Sequence, residues 1–208
     1  MTTPLKVLAV TGASHGIGRA IALRAASAGR AVVVGYRHDA AAACAHGDLR
    51  GVVANAGAAT AVGHMRDQDP RALARDIEVT LTGPVLTCHA ALEHLRPGAS
   101  IVLIGSAATQ QGSPGTYVHY TAAKAGVAML AQGLARELGP DGIRVACVEP
   151  GTVRTDFHAD PERPDKVASA IPWGRPGEPD EIAGAVAWLL SDDATYASGA
   201  VLRVGGGL

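Results

Sequence analysis

The segment that decides the fold is Val7-Leu-Ala-Val-Thr-Gly-Ala-Ser-His-Gly-Ile-Gly18, which joins three different local patterns. Its first four residues form a short apolar run that predicts a buried strand. Three glycines follow within eight residues, and a helical pattern then covers residues 19–28 and ends at Gly29. A glycine-rich turn between a strand and a helix brings backbone N–H groups against a pyrophosphate, and the helix dipole adds to the attraction. Glycine also suits an ordinary tight turn, but the order of strand, turn and helix favours a nucleotide site.

Short apolar runs alternate with helical patterns along the rest of the chain, which is typical of a parallel sheet with helices on both faces. Hydrophobic residues make up 48% of the 208 residues and aromatic residues only 3%, so the core is predicted to consist of small aliphatic side chains. No internal repeat or domain boundary is visible, and residues 1–208 are therefore interpreted as a single domain. The sequence predicts an α/β, three-layer, doubly wound sheet of six parallel strands near residues 7–10, 31–36, 51–55, 100–104, 142–148 and 200–204.

A second chemically distinctive stretch runs from Ser106 to Lys124 and contains Tyr120 four residues before the lysine. On a helix, residues at this spacing lie one turn apart on the same face. The ammonium favours the phenolate, so it is expected to lower the pKa of the tyrosine and prepare it to exchange a proton with a carbonyl oxygen. Ser106 follows a predicted strand at its carboxyl end, where open α/β sheets bind ligands. Taken alone, a tyrosine and a lysine at this spacing are usually surface neighbours.

Several motifs occur together in the order found in the short-chain dehydrogenase/reductase family: Thr11-Gly-x-x-x-Gly-x-Gly18, Asn55-Ala-Gly57, Ser106, Tyr120-x-x-x-Lys124 and Pro150-Gly151. The chain resembles this family over nearly its whole length, and 3-oxoacyl-carrier-protein reductases and polyketide ketoreductases are the most similar members in pattern. The resemblance implies a Rossmann-like fold, one dinucleotide-binding domain and an NADP(H)-dependent oxidoreductase acting on C=O or CH–OH groups.

The resemblance also assigns roles to individual residues. Tyr120 is expected to protonate the carbonyl oxygen, Ser106 to hold that oxygen, and Lys124 to lower the tyrosine pKa and bind the nicotinamide ribose. The residues expected to bind the cofactor are Gly12, Ser14, His15, Gly16, Ile17, Gly18, Arg37, Asn55, Ala56, Gly57, Tyr120, Lys124, Pro150, Gly151, Val153 and Thr155. No metal ligands are expected.

The residues at the end of the second predicted strand favour NADPH over NADH as the cofactor. In this fold an acidic residue at that point binds the adenosine ribose and selects NAD, whereas this chain has Tyr36 and then Arg37. A guanidinium there can bind the 2′-phosphate, and His15 resembles the position where many NADP-dependent relatives carry a cation. The alternative for Arg37 is an ordinary solvated surface charge.

The chain departs from the family directly after this strand. Residues 38–48 form a short alanine-rich segment where relatives place a helix, a strand and a second helix. The second strand is therefore expected to lie at the sheet edge, and the adenine pocket is expected to be incomplete. Thr80 occupies the place of a fourth catalytic asparagine, whose backbone carbonyl holds a water in relatives. These two departures keep a second interpretation open, namely a non-redox isomerase, cyclase or nucleotide-sensing binder on the same scaffold.

The expected substrate is a small-molecule or carrier-bound ketone of the 3-oxoacyl or polyketide type. Residues 157–171 replace the family's substrate-covering segment, or else form a lid without a role in selectivity. The helices predicted over residues 66–95 and 122–138 match those that pair between subunits in the family, so a homodimer or homotetramer is expected. The alternative is that their small apolar residues, among them Ala91, Leu92, Val127, Ala128, Leu130 and Ala131, simply pack on the sheet.

The composition and charge of the chain indicate which binding partners and which cellular compartment are expected. The net charge is −1 without a basic cluster, so nucleic acid is not expected as a partner. No apolar run approaches the ~20 residues needed to span a membrane, and the chain enters its first strand too early for a signal peptide. The three cysteines, at positions 44, 88 and 147, have no metal-ligand spacing. A cytoplasmic location is therefore expected.

Overall fold

The computed structural model describes residues 6–35, 48–158 and 160–208. Six parallel strands form one sheet: β1 (Lys6–Thr11), β2 (Ala31–Gly35), β3 (Asp48–Ala54), β4 (Ser100–Ile104), β5 (Arg144–Pro150) and β6 (Val201–Val204). The α-helices are α1 (Gly16–Ser27), α2 (Pro70–Ile77), α3 (Gly83–Leu92), α4 (Val118–Leu138), α5 (Arg163–Lys166) and α6 (Pro179–Leu189). A π-helical segment covers Glu78–Thr82, and 3-10 turns cover Met65–Asp67, Ala107–Gln110, Gly139–Asp141, Ala168–Ala170 and Asp192–Ala194.

The strand order is β2-β1-β3-β4-β5-β6, and every neighbouring pair is parallel. The direction of the order reverses between β1 and β3, and such a switch point opens a crevice at the carboxyl ends of the strands. The prediction of a six-stranded, doubly wound α/β fold is confirmed. The prediction that the second strand lies at an edge also agrees with this order. Residues 36–47 lie outside the described chain, and so does the predicted cofactor residue Arg37.

The central strand β4 is buried along its whole length on both faces, which explains why it is a continuous apolar run. Successive residues of β4 alternate between two core clusters: Ile101 packs with α3 and α4 on one face, and Val102 packs with α1 and α6 on the other. In β1, Val7 belongs to the same cluster as Ile101, and Leu8 belongs to the same cluster as Val102. Within the described residues, no helix is long and apolar enough to cross a membrane.

The helix predicted over residues 66–95 is largely confirmed, since helical residues run without a break from Pro70 to Leu92, although the helix is shorter at both ends and contains the π-helical segment between α2 and α3. Asp69 caps α2 as expected, because its side chain accepts a hydrogen bond from the Arg71 amide at 3.0 Å. The π-helical segment has a physical cause at Pro84, which has no N–H to donate to the carbonyl of Thr80 four residues earlier. The Gly83 amide instead donates to the Glu78 carbonyl, five residues back.

Two helices begin earlier than their sequence patterns predict. Helix α1 begins at Gly16, inside the glycine-rich turn. Helix α4 begins at Val118 and not near residue 122, so Tyr120 lies in its first turn. Tyr120 and Lys124 are therefore both helical, and their side chains lie on the same face, with the lysine Nζ atom 5.7 Å from the centre of the tyrosine ring.

Candidate active site

The turn between β1 and α1 has the features of a phosphate-binding loop. Gly12 and Gly16 have φ angles of +64° and +54°, which side chains rarely adopt. His15 occupies the N-cap position of α1 without a side-chain capping bond, and the first turn contains no acidic residue. The backbone N–H groups at this end of α1 are therefore not covered by a side-chain cap, and they suit an anion. These residues fit the diphosphate of a dinucleotide.

Asn55 joins this turn to the end of β3. Its Nδ2 atom donates to the Thr11 and Gly12 carbonyls at 3.0 and 3.1 Å. In return, Thr11 Oγ1 accepts from the backbone amides of Asn55 and Ala56 at 3.1 and 3.2 Å. These four bonds fix the beginning of the glycine-rich turn against the Asn55-Ala-Gly57 segment. Asn55 therefore has a structural role, because it ties the ends of β1 and β3 together.

The three predicted catalytic side chains converge at the carboxyl ends of β3 and β4. Tyr120 and Lys124 are buried, with exposed fractions of 8% and 3%. Lys124 Nζ donates to the Ile104 carbonyl at 2.6 Å, two residues before Ser106. Ser106 Oγ accepts from the Ala108 amide at 3.2 Å, and Ser106 lines the same cleft as Tyr120 and Lys124. The structure therefore brings together a phenol, a hydroxyl and an ammonium from two elements.

The expected lowering of the tyrosine pKa is not what the structure shows. Burial raises the pKa of Tyr120 above its ordinary value, and the neighbouring Ser106 hydroxyl only partly opposes that rise. Burial also lowers the pKa of Lys124 to about 8, although the Cys147 thiol opposes this shift. The prediction was based on the charge of Lys124. Desolvation of the phenol, which follows from folding, has the larger effect on the pKa of Tyr120.

Thr80, in the place of the expected asparagine, forms two hydrogen bonds with the backbone of Ala58. Its Oγ1 atom donates to the Ala58 carbonyl and accepts from the Ala58 amide, both at 3.0 Å. A Cβ atom added to Gly57 would lie 3.3 Å from Lys124 Nζ and 3.9 Å from Thr80 Oγ1, so these groups surround Gly57 closely. Thr80 thus holds the loop beside Lys124, and its backbone carbonyl lacks the usual donor because residue 84 is proline.

Glu149 is a site residue that the motif-based analysis missed. It is buried at 3% exposure near the end of β5, and its carboxylate accepts from Thr109 Oγ1 at 3.1 Å and from Arg203 at 3.2 Å. The same hydroxyl lies 3.0 Å from the Ser106 carbonyl oxygen. Glu149 therefore supports the turn that carries Ser106. A carboxylate at the end of an otherwise apolar strand is the sequence signal that predicts such a role.

A second missed feature is the fully buried carboxylate of Asp76. It accepts hydrogen bonds from the Thr60 hydroxyl at 2.8 Å, from the Thr60 and Ala61 amides at 2.7 and 3.0 Å, and contacts His119 Nε2 at 3.0 Å. Burial alone would raise the pKa of Asp76, but the hydrogen bonds from Ala61, His119 and Thr60 outweigh it and leave the pKa below its ordinary value. Because His119 precedes Tyr120, this contact also anchors the first turn of α4.

We expect Asp76→Asn to lower the free energy of unfolding by about 1.5 kcal/mol at neutral pH, since it removes charge-assisted hydrogen bonds from a buried site. A carboxyl whose pKa is depressed by folding stabilises the protein above its unfolded pKa, and this contribution is lost as pH falls through the folded pKa. The difference between Asp76→Asn and the wild type should therefore be constant from pH 7 to pH 5 and shrink below about pH 4. Urea unfolding at several pH values measures it.

Asp69→Asn is the matched control, because asparagine is an equally good N-cap residue and Asp69 is exposed. It should leave stability nearly unchanged at every pH. Equal stability losses for the two variants would show that Asp76 does not have the structural role assigned to it.

A single cleft of about 1150 Å³ connects these groups. Every predicted site residue in the described chain lines it: Gly12, Ser14, His15, Gly16, Ile17, Gly18, Asn55, Ala56, Gly57, Ser106, Tyr120, Lys124, Pro150, Gly151, Val153 and Thr155. Near the glycine turn, a Cβ atom added to Gly16 would lie 3.3 Å from the Thr155 side chain, so the segment after β5 approaches that turn closely. Farther along, the Tyr120 ring contacts Tyr117 and Phe157 at centroid distances of 5.4 and 5.6 Å.

A doubly wound sheet with a phosphate-binding turn at its switch point and a buried tyrosine–lysine pair defines a dinucleotide-dependent oxidoreductase. Comparison with known proteins agrees. The family model described as enoyl-(acyl carrier protein) reductase matches residues 39–208. An uncharacterized oxidoreductase of Escherichia coli, YgfF, is 33% identical over 246 aligned residues, which cover 98% of this chain and all of the relative.

Two solved structures are also similar. A short-chain dehydrogenase from Burkholderia cenocepacia in complex with NADP has a TM-score of 0.87 at 29% identity. A 3-ketoacyl-(acyl-carrier-protein) reductase from Brucella melitensis complexed with NADH has a TM-score of 0.87 at 26% identity. In both cases 97% of each chain is covered. The chain belongs to the short-chain dehydrogenase/reductase family and is an oxidoreductase.

The alignment with the Escherichia coli relative is longer than this chain, at 246 positions against 208 residues. The relative therefore has residues without a counterpart here. This agrees with the sequence interpretation that elements are missing between β2 and the Asn55-Ala-Gly57 segment, and with the position of β2 at the sheet edge.

Proposed function

We propose that the protein is an NADPH-dependent reductase of a ketone, with a 3-oxoacyl or polyketide-like compound as the substrate class. The observation that carries this proposal is the convergence of Ser106, Tyr120 and Lys124 on the cleft that also contains the glycine-rich turn. A binder or a non-redox enzyme has no need of a buried phenol beside a buried ammonium at the mouth of a nucleotide site.

In this mechanism the chain holds and protonates the carbonyl oxygen. The Ser106 hydroxyl donates a hydrogen bond to that oxygen, and the Tyr120 phenol transfers its proton to it as negative charge develops. Lys124 stabilises the resulting phenolate, since its ammonium is within 5.7 Å of the ring centre. The glycine-rich turn and Lys124 would hold a nicotinamide cofactor, which would supply the hydride for the carbonyl carbon. Solvent then restores the phenol proton, and the Thr80 carbonyl, which has no N–H donor at Pro84, offers a place for a relaying water.

The preference for NADPH rests on the chain's own residues, because the two similar structures contain NADP in one case and NADH in the other. The two residues directly after β2 are Tyr36 and Arg37, and neither of them is acidic. His15 lies exposed at the N-terminus of α1 and lines the cleft. Both features favour an additional phosphate on the adenosine ribose.

We expect the protein to reduce a simple β-ketoester such as ethyl acetoacetate with NADPH in preference to NADH.

Arg37→Asp should weaken NADPH binding at least 10-fold and NADH binding much less, because it replaces a charge-assisted contact with repulsion. Fluorescence titration with each nucleotide measures both effects. Arg66→Asp makes the same charge change at an exposed site outside the cleft and is the control. Equal weakening of both nucleotides by Arg37→Asp would contradict the assignment.

We also propose that the protein is a homodimer or homotetramer, which light scattering at micromolar concentration measures. Ala91, Val127 and Ala131, expected at the subunit contact, are instead buried against the sheet. The support for assembly comes from outward-facing residues of the same helices, namely Val85 on α3 and Met129 on α4, with exposed fractions of 39% and 61%.

A further inference from the structure

Arg163, the first residue of α5, lies at the substrate side of the cleft. It is half-buried, and its guanidinium carbon is 5.5 Å from the centre of the Tyr117 ring. This stacking holds the guanidinium over an aromatic face while its N–H groups remain available at the edge. The arginine is therefore already ordered in one place beside the cleft.

The acidic residues around Arg163 contact other cations. Lys166 is 2.9 Å from Asp160 and 3.1 Å from Glu162, and Asp165 pairs with Arg154. Among residues 6–35, 48–158 and 160–208, Arg163 forms no salt bridge. Its N–H groups are therefore available to bind an anionic ligand.

Tyr117 lies between the guanidinium and the ring of the proposed catalytic tyrosine. Two aromatic contacts connect them, because the Tyr120 ring touches Tyr117 at 5.4 Å and Arg163 stacks on Tyr117. Ser113 lines the same part of the cleft with a φ angle of +48°, a backbone conformation that is uncommon without glycine. Such strain is often retained at ligand-binding sites.

We propose that Arg163 binds an anionic group of the substrate, so that the preferred substrates are ketones carrying a carboxylate or phosphate at the end of a short chain. This inference rests on the proposed ketone reductase activity. Guanidinium binds either anion through two parallel hydrogen bonds, and the aromatic rings of Tyr117 and Phe157 enclose the apolar chain between the carbonyl and the anion.

The test compares charged and neutral partners of the same ketone. The first pair is levulinate and methyl levulinate, and the second is dihydroxyacetone phosphate and dihydroxyacetone. For the wild type we expect kcat/KM to favour the charged member of at least one pair. Arg163→Met should reduce that preference by about 10- to 100-fold, the usual range for a charge-assisted hydrogen bond. Arg163→Lys should retain part of it, since the charge remains but the planar fork is lost.

Arg175→Met is the matched control, because Arg175 also stacks on an aromatic ring, Trp173 at 5.9 Å, but pairs with Glu181 and does not line the cleft. It should leave the preference unchanged. The substrate pair whose charged-to-neutral ratio of kcat/KM falls more in Arg163→Met identifies carboxylate or phosphate as the bound anion. Thermal unfolding establishes that each variant is folded, and calorimetric titration with levulinate gives a binding measurement independent of turnover.

Two outcomes overturn the inference in different ways. If the wild type reduces neutral ketones and Arg163→Met leaves every charged-to-neutral ratio unchanged, the anion site is wrong while the proposed activity stands. If the wild type reduces no ketone of either pair and no β-ketoester with either nucleotide, the proposed activity fails and the inference fails with it.

Discussion

Tyr120→Phe is expected to lower kcat for ketone reduction by about 10²- to 10⁴-fold, the range that general-acid catalysis contributes. The change removes the transferable proton but keeps the ring, which packs against Tyr117 and Phe157. Nucleotide affinity should therefore remain nearly unchanged. Steady-state kinetics and fluorescence titration with NADPH measure the two quantities separately.

Tyr196→Phe provides the control for this variant, because Tyr196 is fully exposed. It should have wild-type kcat and wild-type nucleotide affinity. If Tyr120→Phe retains activity within a few-fold of the wild type, Tyr120 is not the proton donor and the proposed mechanism is wrong.

Gly18→Ala is expected to lower the free energy of unfolding by about 3 kcal/mol and to weaken nucleotide binding at least 10-fold. A Cβ atom at this position would lie 2.4 Å from the Gly12 carbonyl oxygen and 2.5 Å from Asn55 Nδ2. The carbonyl belongs to the backbone, so relief requires α1 to move away from the glycine-rich turn. That movement displaces the N–H groups that suit the diphosphate. Denaturant unfolding and NADPH titration measure the two losses.

Gly133→Ala is the control, since it lies within α4 and an added Cβ atom meets no heavy atom within 4 Å. Alanine should be neutral there or should stabilise the protein by up to about 1 kcal/mol. Similar behaviour of the two alanine variants would show that the close packing of α1 on the turn is not required.

The architecture could be predicted because its signals are local. Residues 100–104 form β4 with the predicted bounds, since an apolar run lies between a turn and a glycine. The same alternation of apolar runs and helical patterns gave the six parallel strands. Local pattern predicted the helix within residues 66–95 but not its π-helical segment, where Pro84 removes one backbone donor.

The motifs identified the residues around the cleft but not their supports. Asp76 and His119 are 43 residues apart, and neither belongs to a motif. Glu149 contacts Thr109 across a separation of 40 residues. Such contacts depend on how distant segments pack, which periodicity does not encode. The pKa of Tyr120 has the same origin, because burial, which raises it, is a property of the folded chain.

The central claim, that the cleft carries out hydride reduction of a ketone with Tyr120 as the proton donor, is tested most directly by isotope transfer. The protein is incubated with NADPH deuterated at the transferable C4 position and with ethyl acetoacetate, and the hydroxyester is analysed by mass spectrometry. We predict one deuterium on the new carbinol carbon for the wild type and at least 100-fold less product for Tyr120→Phe. Wild-type protein that binds NADPH but forms no deuterated alcohol from ethyl acetoacetate, levulinate or dihydroxyacetone phosphate would contradict the account.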